Sequence, residues 1–394
     1  MSETTELAPG ANLAALRKER GLTQSQLARQ ANISVSLLSK IEVGDRTLTP
    51  AVAAALGKPV GLSMAEVLGK ASVAQDEEEC LSALRSAIRD YDLPGGRAVH
   101  EGAIGAALEV AGGHRDRVDV NRLLAMLPKL LRDATTHAYA TNTAEAWMAL
   151  AEAYSTVYWL AARHRWMDMA ELAVTRQRWA AEQKPNPLGR VIAERDRAGT
   201  YLNFGDVEQG LTVVDRAMAD AQTHLSGQER DIAMCILNLR GMTLAGRLGD
   251  KRDARREALR HIESARDAGS RIGRDFDVHG LTVGPRNAFT HELATHVDLG
   301  RPRDALGLTD NLAGALAGLP PTRVAPTYIN TARAQLDVGD RDGALENLSI
   351  AWDVAPQLAR IHPMGREVFR VLASLHRRSN PALLKLSKVS GVPM

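Results

Sequence analysis

The sequence predicts an all-α protein made of a small N-terminal head of five helices and a long array of paired helices behind it. Three observations lead there. Residues 23 to 42 spell two short helices joined by a tight corner, and from about residue 143 long amphipathic stretches meet at recurring glycine corners. Alternating β-branched runs are absent and the four phenylalanines are scattered, so a mostly helical protein is expected.

The corner follows from side-chain chemistry. Thr23 caps a helix whose Leu27, Ala28 and Ala31 share one buried face. Asn32 ends it, because asparagine tolerates the left-handed conformation that a sharp stop requires, and Ile33 drops into the core behind it. Ser34 caps the second helix, in which Leu37, Leu38 and Ile41 point inward. Val35, Ser36, Ser39 and Lys40 are left on a slim outer face of the size that enters a DNA major groove.

This stretch resembles the lambda-repressor-like (Cro/C1 or XRE) helix-turn-helix family. It follows that family's Thr-Gln-x-x-Leu-Ala-x-x-x-Gly-Val-Ser-x-x-x-Ile-Ser-x-x-Glu-x-Gly pattern, with Asn32 for the glycine and Leu38 for the isoleucine. Leu16, Arg17 and Arg20 fit the family's first helix, and Glu42 and Gly44 its exit from the reading helix. Ala51 to Leu56 and Ser63 to Leu68 would be helices four and five, interrupted by Gly57-Lys58-Pro59-Val60-Gly61. The resemblance implies that Gln24 and Ser34 hold phosphates, that Val35, Ser36 and Lys40, with Ser39 beside them, meet base edges, and that Arg46 clamps a further phosphate. The alternative for each is solvated surface.

Residues 1 to 70 hold eight basic and six acidic residues, and the remaining 41 of each sign cancel, leaving the chain at +2. One weakly basic module binds DNA poorly, so the expected partner is a double-stranded operator with two half-sites about 34 Å apart, read by a homodimer. Ultracentrifugation should find two copies on the operator; a monomer both free and on DNA would rule the dimer out.

At 394 residues, 45% of them hydrophobic, the chain is long enough for two or more domains. No apolar run approaches the roughly 20 residues that span a bilayer, and the acidic N-terminus lacks the order of an export signal, so a cytoplasmic protein without a membrane partner is expected. Cys80 and Cys235 are too isolated for a disulfide framework or a thiolate metal site. The excess of arginine over lysine, with abundant alanine, suits a GC-rich bacterial genome.

Gly69 to Glu79 reads as the boundary between a DNA-binding domain at 1–70 and a helical connecting region at 71–142. Cys80, Leu81, Leu84 and Ile88 share one helix face, stopped by Asp92 to Gly96, and further apolar stripes run from Val99 to Val110 and from Val120 to Leu131. From 143 to 394 an imperfect repeat appears. Trp147, Leu150, Ala151 and Tyr154 resemble the opening of a tetratricopeptide repeat (TPR). Later units share the corners Phe204-Gly205-Asp206, Leu248-Gly249-Asp250, Leu299-Gly300-Arg301 and Val338-Gly339-Asp340, with Ala254, Ala305 and Ala344 following where helices pack closely. About five antiparallel pairs are expected, stacked as a right-handed TPR-like α-solenoid that senses an effector and dimerises, its concave side made from the first helix of each pair.

Nine of the fifteen aromatic residues fall between Tyr139 and Phe204. Trp147 and Tyr154 belong to the repeat core, whereas Tyr158 and Trp159 exceed the repeat pattern and either line a pocket or pack. Arg286, Asn287 and His291 form a second cluster near one helix start, in a segment resembling one from actinobacterial XRE regulators with TPR-like C-terminal domains; they either hold a ligand or form a structural network. His291 and His296 are five apart, off a common helix face, which rejects His-Glu-x-x-His zinc chemistry. Phosphate-loop, nucleophile-elbow and metal-spaced cysteine motifs are missing, so no enzyme, catalytic residue, cofactor or metal is expected. Two readings remain: a transcriptional regulator answering a small-molecule or peptide effector, and a DNA-tethered scaffold whose repeats dock a protein.

Overall fold

Each of the first four helices opens on a side chain or proline suited to the task. The computed structural model describes residues 8–60, 62, 64–68, 75–97, 99–248, 251–375 and 380–392. Helix α1 (Pro9–Glu19) has proline in its first turn. In α2 (Gln24–Gln30) the Thr23 hydroxyl accepts from the Gln26 N–H while the Gln26 side chain accepts from the Thr23 N–H, a reciprocal cap. Asn32 takes φ 52°, and Ser34 accepts from the Leu37 N–H to open α3 (Val35–Glu42). Thr49 and Pro50 open α4 (Pro50–Gly57); a 3-10 turn, Lys58–Val60, separates it from α5 (Met64–Leu68). The interruption expected at Gly57 to Gly61 is that turn, although Gly61 lies outside the described residues.

These five helices close over Leu13, Leu27, Leu38, Ile41, Leu48, Leu56 and Val67, a core separate from the rest. One polar hub locks α1 to α2 and α3. Arg17 donates to both oxygens of Glu42, at 2.7 and 2.9 Å, and to the Leu22 carbonyl at 2.7 Å, and Gln24 donates to Glu42 at 2.8 Å. Burial pushes the Glu42 carboxyl up, but the hydrogen bonds from Arg17 and Gln24 and the Arg17 charge outweigh it and hold it below the usual carboxylate range.

Behind the head come α6 (Gln75–Arg89), α7 (Glu101–Asp116) and α8 (Val120–Thr141). Gly69 to Ala74, in the expected boundary, lie outside the described residues. Leu81, Leu84, Ile88, Leu123 and Leu131 belong to the same continuous core as the repeats, which runs on to Val392. The described part of the 71–142 segment is thus packed as the first layer of the solenoid.

Five antiparallel pairs follow: α9 (Ala144–His164) with α10 (Met167–Glu182), α11 (Pro187–Phe204) with α12 (Val207–His224), α13 (Gly227–Ala245) with α14 (Lys251–Ile272), α15 (Pro285–Asp298) with the short α16 (Pro302–Leu306), and, after α17 (Leu312–Ala315), α18 (Pro321–Val338) with α19 (Arg341–Val354). Helices α20 (Leu358–Ile361), α21 (Pro363–Leu375) and α22 (Pro381–Ser390) close the array. Three of the expected corners are left-handed glycines, Gly205, Gly300 and Gly339, and Ala254, Ala305 and Ala344 are buried beside their partner helices. The Gly249-Asp250 corner lies outside the described residues. In the first pair the same bend is made by Arg165 at φ 60°, which no glycine announces.

The mostly helical fold that the sequence predicts includes one short hairpin. A hairpin of β1 (Phe276–Val278) and β2 (Leu281–Val283) pairs Phe276 with Val283 and Val278 with Leu281. Its turn is His279-Gly280, both at positive φ as a two-residue hairpin demands, and strands of three residues are too short to display alternation.

The head sits on the array. Leu48 donates its backbone N–H to the buried Glu367 carboxylate of α21 at 3.1 Å, and Arg165 donates to the Leu68 carbonyl at 2.8 Å. Arg46 pairs with Asp337 at 3.0 Å, Lys58 with Asp206 at 3.6 Å, and the Ser374 hydroxyl donates to the Gly44 carbonyl at 3.3 Å.

The Arg17–Glu42 pair should decide the integrity of the head. Glu42→Gln is expected to cost the head about 3 kcal/mol, because it leaves a guanidinium buried without its counter-charge. Since the Glu42 carboxyl is depressed, the wild-type contribution is full above the ordinary glutamate value near 4.3 and fades as pH falls through the lower folded value. Protection of the Leu38 and Ile41 amides, taken as exchange relative to the intrinsic rate at each pH, should therefore fall in acid in the wild type, and at neutral pH in the variant. Exchange in the variant that matches the wild type at neutral pH would contradict the assignment.

Candidate functional site: a reading helix and an arginine-lined cavity

Helix α3 turns Leu38 and Ile41 into the head and leaves Ser34, Val35, Ser36 and Lys40 exposed, with Ser39 half-buried among them. These residues form one outward face, as the sequence predicts. Val35 is an apolar side chain left 42% exposed among polar neighbours, which suits it for an apolar contact. Gln24 lies apart from that face, its amide tied to the Glu42 hub. Arg46 is engaged by Asp337 of α18, whose carboxyl is raised by burial even though Arg46 and Arg333 pull it down.

The second feature is a cavity of about 390 Å³ enclosed by the first helices of the pairs. Each contributes a stripe at helical spacing. Helix α9 supplies Ser155, Tyr158, Trp159 and Arg163; α11 supplies Arg195, Asp196, Gly199 and Leu202; α13 supplies Arg240 and Thr243, and the turn after it Arg247. Helix α15 adds Thr290, His291, Thr295 and Asp298, and α18 adds Arg323, Thr327, Asn330 and Arg333. Arg115, the hairpin residues Gly280 and Leu281, the α20–α21 corner at His362 and Pro363, and Pro50 of the head complete the wall. Gly199 is required by closeness: a Cβ there would lie 2.1 Å from the Tyr158 hydroxyl and 2.8 Å from the Arg240 guanidinium carbon.

Seven arginines but only two carboxylates line this space. Asp196, fully buried, accepts from Ser155 at 2.7 Å, from Gln177 at 3.1 Å and from Arg195. Asp298 is held by Arg333 at 2.8 Å and Arg247 at 3.7 Å. Arg163 lies 4.0 Å over the Trp159 ring, and among the described residues neither it nor Arg323 has a carboxylate within 4.0 Å. Burial first, then the neighbouring guanidiniums, pushes Arg163 down to about 9 and Arg323 to about 10. The same causes hold His291 well below its ordinary value and His362 at about 3, so both imidazoles are neutral and the positive charge belongs to the arginines. The Nε atoms of Arg195 and Arg323 and the Trp159 indole N–H are buried without a hydrogen-bond partner among the described residues.

Of the five ligand candidates, the structure brings Tyr158, Trp159 and His291 together in the cavity and places two elsewhere. Asn287 is 1% exposed and serves the hairpin: its side chain donates to the Thr282 carbonyl at 2.7 Å and its backbone N–H to Asp275 at 2.9 Å. Arg286 reaches outward to the Ala317 carbonyl. They belong to the structural network that the sequence left open as the alternative. The cavity arginines were missed, although a polar stripe interrupting the apolar face of each first helix is visible in the sequence. His291 faces the cavity while Glu292 pairs with Arg266 and lies 3.8 Å from His296, so the two histidines diverge.

Among the described residues, one group has metal-ligand spacing: Asp215, Glu257 and His261, with ligand atoms within 4.8 Å of one another. Arg260 already bridges the two carboxylates and Asn238 holds the imidazole at 2.8 Å, so a guanidinium supplies the cation. No helix among the described residues is long and apolar enough to cross a membrane.

Comparison with known proteins agrees on the head. A family model described as Helix-turn-helix matches residues 13–67. No curated protein matches the chain. Among solved structures, the PrgX/iCF10 complex aligns over 98% of each chain at 9% identity with a TM-score of 0.26, and the P58(IPK) TPR domain over 94% of each at 13% identity with a TM-score of 0.25. Similarities of that size carry no argument about this chain; its own coordinates give the helix-turn-helix head followed by a helical repeat array.

Proposed function

We propose that the chain is a sequence-specific DNA-binding transcriptional regulator: residues 1–70 read an operator of two half-sites as a homodimer, and the repeats hold a small effector in the central cavity. The observation that carries this reading is that one wall of the cavity belongs to the head. Pro50, the first residue of α4, lines it, and a second part of the lip, at His362 and Pro363, leads into α21, whose Glu367 grips the Leu48 N–H. A ligand touching both parts changes how firmly the head is seated, and a differential of about 1 to 3 kcal/mol suffices for a 5- to 150-fold change in operator affinity. A concave site of this volume favours a small effector over a docked protein.

In this reading Ser36, Lys40 and Val35 meet base edges, with Ser39 beside them, Ser34 and Gln24 approach phosphates, and Arg46 exchanges Asp337 for a phosphate when the head is reseated. Lys40→Ala combined with Ser36→Ala should erase sequence preference by about ten- to a hundredfold with the melting curve unchanged. Genome-wide DNA capture followed by footprinting measures it, and an unchanged footprint would move the reading surface elsewhere. Tyr158→Ala should leave operator affinity alone and blunt its response to the small-molecule fraction of a cell extract. A response confined to the protein fraction would favour the scaffold.

A further inference from the structure

We propose that the cavity takes a small phosphorylated molecule bearing at least two phosphoryl groups, bound between Arg163, Arg195, Arg240 and Arg323. This rests on the reading of the cavity as the effector site. Its charge balance is the starting point. Both lining carboxylates are already engaged within the fold, Asp196 by hydrogen bonds from Ser155, Gln177 and Arg195, and Asp298 by a hydrogen bond from Arg333 and an ion pair with Arg247, so they offer little to the remaining guanidiniums. Arg240 bonds the Arg195 carbonyl at 3.1 Å and reaches Asp196 only at 3.9 Å, and Arg163 and Arg323 have no carboxylate within 4.0 Å among the described residues.

Like charges so held repel one another, and this repulsion adds to burial, the larger cause, in weakening the hold of Arg163 and Arg323 on their protons. A bound anion relieves the repulsion. The Arg195 and Arg240 side chains are 14% and 12% exposed, so the space can be reached from solvent. A phosphoryl group brings roughly −1.5 to −2 charge and three acceptor oxygens, matching the guanidinium fork two bonds at a time, whereas a carboxylate brings −1 and two oxygens. Two phosphoryl groups balance the excess in a space where three or four separate carboxylates would crowd. Tyr158, Trp159 and Leu202 provide an apolar wall for the rest of the molecule.

The test is thermal unfolding and calorimetry of the full chain with inorganic pyrophosphate, against citrate at equal ionic strength. Pyrophosphate should raise Tm by about 3 °C at a hundred times its Kd. Arg163→Gln and Arg323→Gln should each weaken binding at least tenfold and, by relieving repulsion, leave the ligand-free Tm no lower than that of the wild type. Lys40→Ala should bind as the wild type does, which separates the cavity from any polyanion binding by the head. Equal stabilisation of the arginine variants would place the anion elsewhere and overturn the proposal; citrate binding as tightly as pyrophosphate would overturn the phosphoryl assignment. If a variant fails to fold, the wild-type contrast between pyrophosphate and citrate still decides. Saturable cavity binding that leaves operator affinity unchanged would uphold this site and sink the effector reading instead.

Discussion

The array is organised around guanidinium groups gathered where water is scarce. Burial in a medium of low dielectric penalises each charge, and the mutual repulsion of Arg163, Arg195 and Arg323 adds to that penalty. Ordinary core packing would remove such residues, because apolar replacements of equal volume are neutral or stabilising at most buried charge sites. What keeps the arrangement tolerable is partial: the fully bonded Asp196, the Asp298–Arg333 pair, the Trp159 face under Arg163, and solvent reaching some of the forks. The rest of the architecture serves it, since five first helices each turn a polar stripe toward one space while their partners cover the outside.

The same geometry explains why the head is where it is. Its contacts fall on the end of α9, on the α11–α12 corner, on the end of α18 and on α21, elements that also border the cavity, so head and cavity share walls. Most of these contacts are single polar bonds at a rim, worth little each when exposed. The Leu48–Glu367 and Arg165–Leu68 bonds differ because they are buried, and a bond to a charged group out of water is expensive to leave unmade. Glu367 pays for its place in another way: burial raises its carboxyl despite the help of the Leu48 N–H and of Arg370. A seat made of two buried bonds and several weak ones is suited to being exchanged for another position.

Legibility in the sequence followed the range of the interactions. The head was readable almost residue by residue, because its caps at Thr23 and Ser34 and its turn at Asn32 are decided within four residues of chain. So were the corners that use glycine. The corner at Arg165 was hidden because an arginine adopts the left-handed conformation there, held by the Trp166 N–H bonded to the Ala161 carbonyl and by the stacking of His164 on Trp166 at 4.3 Å. The cavity was only partly legible. Tyr158, Trp159 and His291 stood out as excess over a repeat pattern, but the arginines between 115 and 333 meet only through the stacking of successive pairs, and nothing local in the chain announces that convergence. Asn287 misled for the opposite reason: its chemistry is real but is consumed by a hairpin too short for periodicity to reveal.

Linkage ties these two scales together. If an anion neutralises the cavity and thereby favours one seating of the head, then DNA, by favouring a seating, must change the affinity for the anion by the same factor. Arg46 makes the reciprocity concrete, because its partner in the docked head is Asp337 and its proposed partner on DNA is a phosphate, so one guanidinium cannot fully satisfy both at once. Asp337 lies four residues beyond Arg333, which holds Asp298 at the cavity wall. One turn of α18 therefore carries both the group that restrains the head and the group that completes the cavity, and a shift of that turn is felt at both ends.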